Sequence, residues 1–237
     1  MKEQVAFVAG ATGYTGREVV RILREGSIRT VAHVRPDSSR LDHWRGRFEA
    51  LGAELDTTAW EQRAMSATLA QLRPTLVFAL LGITRARAQG EAKAGLEAST
   101  YESVDYGLTA MLRRAAAALE PAPRFVYLSS AAVKESKPGS YMNARWKVEQ
   151  ELLAGSMPYT IARPSFISGD DRDDGRMGER VGSSIVDAAL GVAGLFGAKR
   201  MRDRYRSTSN TVLADALVRL ALAPEAANHI IESENLR

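Results

Sequence analysis

Gly10-Ala11-Thr12-Gly13-Tyr14-Thr15-Gly16 sets three glycines at intervals of three, directly after the apolar run Val5-Ala6-Phe7-Val8-Ala9 and directly before a helical stretch. That strand–loop–helix context gives the loop its chemistry. The first glycine permits a tight turn, the second lets backbone amides approach a pyrophosphate, and the third allows close helix–strand contact. The helix amino terminus adds unpaired N–H groups and a partial positive charge. Thr12 and Thr15 can add hydroxyl donors, so Gly10, Thr12, Gly13, Thr15 and Gly16 are candidates for holding a dinucleotide. A second chemical signal is Arg35. An NAD site usually carries Asp or Glu at the end of the second strand, bonded to the ribose 2′-hydroxyl. Here His33-Val34-Arg35-Pro36 offers no carboxylate before Asp37. Arg35 can instead pair a 2′-phosphate through a charge-assisted bidentate contact. The expected cofactor is therefore NADP(H), preferred over NAD(H).

These groups need a scaffold, and the hydropathy pattern supplies one. Short apolar runs at 5–9, 30–34, 53–56, 75–81, 124–129 and 159–162 alternate with helical stretches at 14–25, 38–51, 62–72, 102–119 and 143–154. Leu41, Trp44, Phe48 and Leu51, for example, recur at helical intervals. Strands that are apolar throughout are buried on both faces, which means a parallel sheet with helices on each side. The expected class is α/β: a doubly wound parallel Rossmann sheet, with a last helix near 211–222 and a strand near 228–232. Residues 168–210 change texture, from the polar Ser168–Gly175 run to an apolar stretch broken by glycines. They are expected to form a small carboxyl-terminal substrate lobe or lid within a single domain spanning 1–237.

Composition removes several function classes. The chain of 237 residues is 45% hydrophobic and 25% charged, which is ordinary globular usage. It has no cysteine, so thiol catalysis and disulfides are excluded, and three scattered histidines (His33, His43, His229) argue against a zinc site. No apolar run reaches the roughly 18 residues that cross a bilayer. The first strand follows Met1-Lys2-Glu3-Gln4 so closely that no signal peptide is expected, and the expected location is cytoplasmic. A net charge of 32 − 28 = +4 is modest, and its one dense run, 199–206, reads as a solvated basic loop, so nucleic acid is not expected. The acidic run 170–174 lacks the glutamate that a calcium loop needs at its twelfth position, where Val181 stands. Trp44, Trp60 and Trp146 read as packing residues.

Further motifs follow the glycine loop in order: Leu80-Leu81-Gly82-Ile83-Thr84-Arg85, Leu128-Ser129-Ser130, Lys147-Val148-Glu149-Gln150-Glu151 and Ala162-Arg163-Pro164-Ser165. Together with the loop they resemble the atypical short-chain dehydrogenase/reductase enzymes of the NAD(P)H-binding, Tat-interacting-protein type, over most of the chain. The resemblance implies that Tyr14 joins the loop residues at the pyrophosphate, and that Leu81 and Gly82 line the adenine and ribose side, with Thr84 and Arg85 nearby. It also implies that Ser129 and Ser130 lie beside the nicotinamide, and Pro164 and Ser165 near its carboxamide.

The reductases of that family use a Ser, a Tyr and a Lys, with the Tyr giving a proton to a carbonyl. The Lys follows one helical turn later, binds ribose and lowers the Tyr pKa. Four residues advance a helix by about 400°, so both side chains face one site. The resemblance implies Ser130, Tyr141 and Lys147 for these roles, but the spacing departs from it. Four before Lys147 stands Asn143, and Tyr141 lies six before it, about 120° around a helix. Shifting the alignment does not restore the motif, because Lys137 precedes Tyr141 and the residue four after it is Arg145. Two readings stay open: Tyr141 sits in the preceding loop and swings in, or Asn143 holds substrate or water and proton delivery differs.

The leading expectation is an NADP(H)-dependent oxidoreductase acting on a small carbonyl or hydroxyl compound. The alternative is a nucleotide-binding regulatory protein that senses NADPH/NADP⁺ without turnover. A nucleotide-sugar epimerase or dehydratase is a weaker alternative, because the chain is short for one. A homodimer or a protein partner stays open.

Overall fold

The computed structural model describes residues 4–83, 99–165, 167–168 and 208–236. The core of the segment 168–210, expected as a substrate lobe, lies outside the described residues, as do Thr84, Arg85, the acidic run 170–174 and the basic run 199–206. Seven strands form one parallel sheet: β1 (Val5–Ala9), β2 (Arg29–His33), β3 (Glu54–Asp56), β4 (Leu76–Ala79), β5 (Arg124–Leu128), β6 (Tyr159–Arg163) and β9 (His229–Glu232). Their order is β3-β2-β1-β4-β5-β6-β9. Two short strands, β7 (Ile167–Ser168) and β8 (Thr208–Ser209), pair separately and in parallel, Ile167 with Thr208 and Ser168 with Ser209.

Both faces of the sheet are covered, which is why the strands are apolar without alternation. Ala6, Val8, Phe78 and Val126 pack under α1 (Gly16–Glu25), α2 (Leu41–Ala50) and α6 (Asn210–Leu222). Phe7, Ala9, Val77, Phe125 and Tyr127 pack on the other side. There they meet α3 (Gln62–Leu72), α4 (Thr109–Ala117) and α5 (Tyr141–Ala154). A π-helical stretch, Tyr101–Leu108, leads into α4; the sequence pattern predicts one continuous helix over 102–119. The wider turns begin at Thr100, whose hydroxyl accepts the Ser103 amide at 3.0 Å. Among the described residues no helix is long and apolar enough to cross a membrane.

The helix containing Tyr141 starts two residues earlier than the sequence pattern predicts. Ser140 is its N-cap, and the Ser140 Oγ accepts the Asn143 amide at 3.2 Å, which satisfies one of the orphan donors of the first turn. Tyr141 is thus the first helical residue and not part of a loop.

The strand order reverses its direction of growth between β1 and β4, and the carboxyl ends of these two strands open the crevice where such sheets bind ligands. Gly10 follows β1 with φ +83°, and a Cβ there would lie 2.5 Å from the Leu80 carbonyl oxygen beyond β4. At Gly16 a Cβ would fall 2.9 Å from the Gly10 carbonyl carbon and closer still to its oxygen. Backbone on both sides leaves nothing that can move aside. Replacing Gly16 by Ala should therefore cost about 2 kcal/mol or more, in the range of overpacked interiors, read as a lower urea midpoint. Gly46→Ala on α2 is the control: nothing lies within 4 Å of its Cβ, and the midpoint should rise slightly.

Candidate functional site

The glycine loop is built as a cradle. The Gly13 amide donates to the Gly10 carbonyl at 3.0 Å and the Arg17 amide to the Gly13 carbonyl at 3.1 Å, folding the loop into the first turn of α1. Among the described residues the amides of Thr12, Thr15 and Gly16 have no backbone acceptor. Gly13 is exposed, and a Cβ added to it would lie 3.1 Å from the Gly10 carbonyl oxygen. Free amides, a helix amino terminus and missing side chains fit a pyrophosphate. Thr15 is buried beneath the loop, and Tyr14 lies with its ring 5.3 Å from the Arg17 guanidinium. The Asn210 side chain at the start of α6 donates to the Tyr14 carbonyl at 3.2 Å, bracing the loop from outside.

Arg35 follows β2 and is partly exposed, with Nη1 3.0 Å from the Asp37 carboxylate. Its neighbour His33 ends β2 facing inward. The ring is buried against Phe7 and Trp60, at centroid distances of 5.8 and 4.7 Å, and Nε2 lies 2.9 Å from the Thr58 carbonyl. Burial lowers its pKa from 6.5, against the weaker pull of the Thr58 carbonyl and Asp56.

The ends of β4, β5 and β6 are held by two buried charges on α5. Arg145 donates through Nη1 to the Leu128 carbonyl, and through Nη2 to the Leu81 carbonyl at 3.2 Å and to Asp105 Oδ1 at 2.9 Å. Asp105 Oδ2 in turn accepts the Ile83 amide at 3.0 Å. Gly82 crosses directly over this pair, and a Cβ there would be 3.1 Å from Arg145 Nη2. Burial raises the Asp105 pKa, with Arg145 and the Ile83 amide opposing the shift. Burial works against the charge of Arg145 too, but the surrounding Tyr141, Tyr127 and Asp105 outweigh it and the pKa is raised. One turn further along, Glu149 is fully buried. It accepts the Ser129 hydroxyl at 2.5 Å and takes a two-pronged contact from Arg163, which also reaches Glu232 at 3.0 Å.

The side chains that the resemblance placed near a nicotinamide thus divide. The Ser129 hydroxyl is committed to Glu149, and its amide donates to the Ala162 carbonyl at 2.8 Å. Lys147 Nζ is 2.6 Å from Glu102 Oε1 and lies 4.8 Å from the Tyr106 ring centroid, turned toward the π-helical stretch. Pro164 is buried, its carbonyl accepting the Ala131 amide at 2.8 Å, and Ser165 Oγ accepts from Ser233 at 3.0 Å. By contrast, among the described residues no side-chain hydrogen bond engages the hydroxyls of Ser130 or Tyr141. The Tyr141 ring sits edge-on to Tyr101 at 5.4 Å and 5.0 Å from the Arg145 guanidinium carbon. Arg145 is the residue that sequence reasoning passed over. Its signal was present as the four-residue spacing from Tyr141, but with arginine in place of the lysine that the motif demands.

His33 gives the site a measurable pH signature. The unfolded chain binds a proton near pH 6.5, whereas folded His33 resists it, so its contribution to stability is full above that pH and lost as pH falls. Urea midpoints at pH 7.5 and 5.5 should separate by more in the wild type than in His33→Gln.

Comparison with known proteins agrees with the fold. A model of the NAD(P)H-binding family matches residues 10–189. The mitochondrial protein FMP52 of Debaryomyces hansenii is 28% identical over 169 residues, covering 69% of this chain and 67% of that protein. A short-chain dehydrogenase/reductase superfamily protein from Agrobacterium tumefaciens, solved with bound NAD, superposes with a TM-score of 0.61 at 20% identity, covering 96% of this chain and 76% of the other. The UDP-glucose 4-epimerase of Thermotoga maritima, solved with UDP-glucose, gives 0.60 at 15% identity, with 96% and 75% covered. At these identities the two structures establish the fold alone, while the family match spans most of the chain. This chain belongs to the NAD(P)H-binding family.

Proposed function

We propose that the chain is a cytoplasmic NADP(H)-dependent oxidoreductase that reduces a small carbonyl compound or oxidises the corresponding alcohol. One observation carries the reading: among the described residues Ser130 and Tyr141 keep uncommitted hydroxyls, while the neighbouring Ser129 and Lys147 are bonded within the protein. The nicotinamide supplies or accepts the hydride. Gly10, Thr12, Gly13, Tyr14, Thr15 and Gly16 hold the pyrophosphate, Leu81 and Gly82 border the ribose, and Arg35 meets the 2′-phosphate after leaving Asp37. Ser130 donates a hydrogen bond to the substrate oxygen. Tyr141 delivers the proton that this oxygen gains as the carbonyl becomes a hydroxyl, and regains one from solvent.

A second reading has its own support. The lysine expected to face the ribose is tied to Glu102, and the residue four after Tyr141 is bonded inward. A chain so built could bind nucleotide and report its redox state to a partner without turnover.

Calorimetric titration with NADPH and NADH separates cofactor preference from turnover. NADPH should bind more tightly, and Arg35→Ala should weaken NADPH by about 10- to 100-fold, the worth of one charge-assisted contact, while leaving NADH unchanged. Equal affinities for both would remove the NADP assignment. With NADPH and a panel of aldehydes, ketones and quinones such as phenanthrenequinone, Tyr141→Phe should lower kcat about 100-fold or more. NADPH binding with no turnover of any panel member by the wild type would favour the sensor reading.

A further inference from the structure

The guanidinium of Arg145 meets four parts of the fold at once. The residue is only 6% exposed, and its charge is paired with Asp105 at 2.9 Å. Nη1 reaches the Leu128 carbonyl at the end of β5; Nη2 reaches the Leu81 carbonyl after β4 and Asp105 on the π-helical stretch. The guanidinium carbon lies 5.0 Å from the Tyr141 ring and 5.6 Å from the Tyr127 ring. A lysine could not do this. Its ammonium is a point donor on a flexible stem, whereas these acceptors lie around a planar fork. The bonds of Nη1 and Nη2 all go to protein groups, while the buried Nε has no partner among the described residues.

We infer that Arg145 is the positioning residue of this site. It holds the ring of Tyr141 in one frame with the Leu81–Ile83 and Leu128–Ser130 backbones, and Asp105 is its anchor. The assignment rests on the proposed reductase reading for its catalytic consequence but not for its structural one. Asp105 is essential to the argument. Its carboxylate bonds Arg145 and the Ile83 amide, and Arg145 is the side chain through which it is joined to the Tyr141 ring.

The test uses the full chain with Arg145→Lys, Asp105→Asn, Tyr141→Phe and the double variant Arg145→Lys/Tyr141→Phe. Two readouts are taken: kcat and KM with NADPH and phenanthrenequinone, and the NMR signals of ¹³C-tyrosine-labelled protein, with Tyr141 assigned by its loss in Tyr141→Phe. Either single charge variant that folds suffices. Arg145→Lys should lower kcat about 10- to 100-fold, the scale of an ångström-sized misplacement, with NADPH affinity within about threefold. The double variant should be no slower than Tyr141→Phe alone, because Arg145 acts through the tyrosine. Asp105→Asn should shift and broaden the Tyr141 signal while the tyrosines remote from Asp105 stay in place. A Tyr141 signal unmoved in both Arg145→Lys and Asp105→Asn overturns the inference, as do independent, additive losses in kcat. Absence of turnover in the wild type overturns the reductase reading instead, and the NMR arm then decides Arg145 on its own.

Discussion

A buried cation and a buried anion stand one turn apart on the inner face of α5, and the carboxyl edge of the sheet is assembled on them. Arg145 gathers the ends of β4 and β5, and Glu149 gathers Ser129 after β5, Arg163 of β6 and, through Arg163, Glu232 of β9. Isolated, each charge would cost several kcal/mol to withdraw from water. Here each finds several hydrogen-bonding partners, which is the condition under which such burial is tolerated. Apolar packing sets the spacing of layers but is indifferent to small slides along a strand. Directional bonds to Leu81, Leu128 and Ser129 remove that freedom at the strand ends.

The two networks also explain which hydroxyls stay unbonded among the described residues. Ser129 and Ser130 are adjacent on the chain just beyond β5, the first buried and the second half-buried. Glu149 takes the first, leaving the second. On α5 the inward face carries Arg145 and Glu149, and Lys147, rotated away from them, meets Glu102 and Tyr106. On α5 the division follows from helical periodicity acting on residues only a few positions apart.

That division marks how far the sequence could be read. Six strands, five helices and the glycine loop were legible because apolar period and turn residues are local signals. The seventh strand, β9, and α6 were legible for the same reason. The start of α5 was missed by two residues, although the Ser140 cap that fixes it is a local signal too. The burial of Arg145 and Glu149 was not legible. A charged residue within a helix reads as solvated, and the partner that makes burial tolerable, Asp105, is 40 positions away. The commitment of Lys147 to Glu102, 45 positions away, was hidden in the same way. Pattern gave the scaffold; long-range side-chain pairing, which has no period, set the chemistry of the site.

The small ladder between β7 and β8 has a consequence of another kind. It brings Ile167 and Ser168 alongside Thr208 and Ser209, so the chain departs from the sheet and rejoins it at one place. Ser209 then caps α6, and Asn210 grips the glycine loop. The ladder thus ties the late part of the chain to its first loop, where Asn210 and Tyr14, 196 positions apart, share one hydrogen bond.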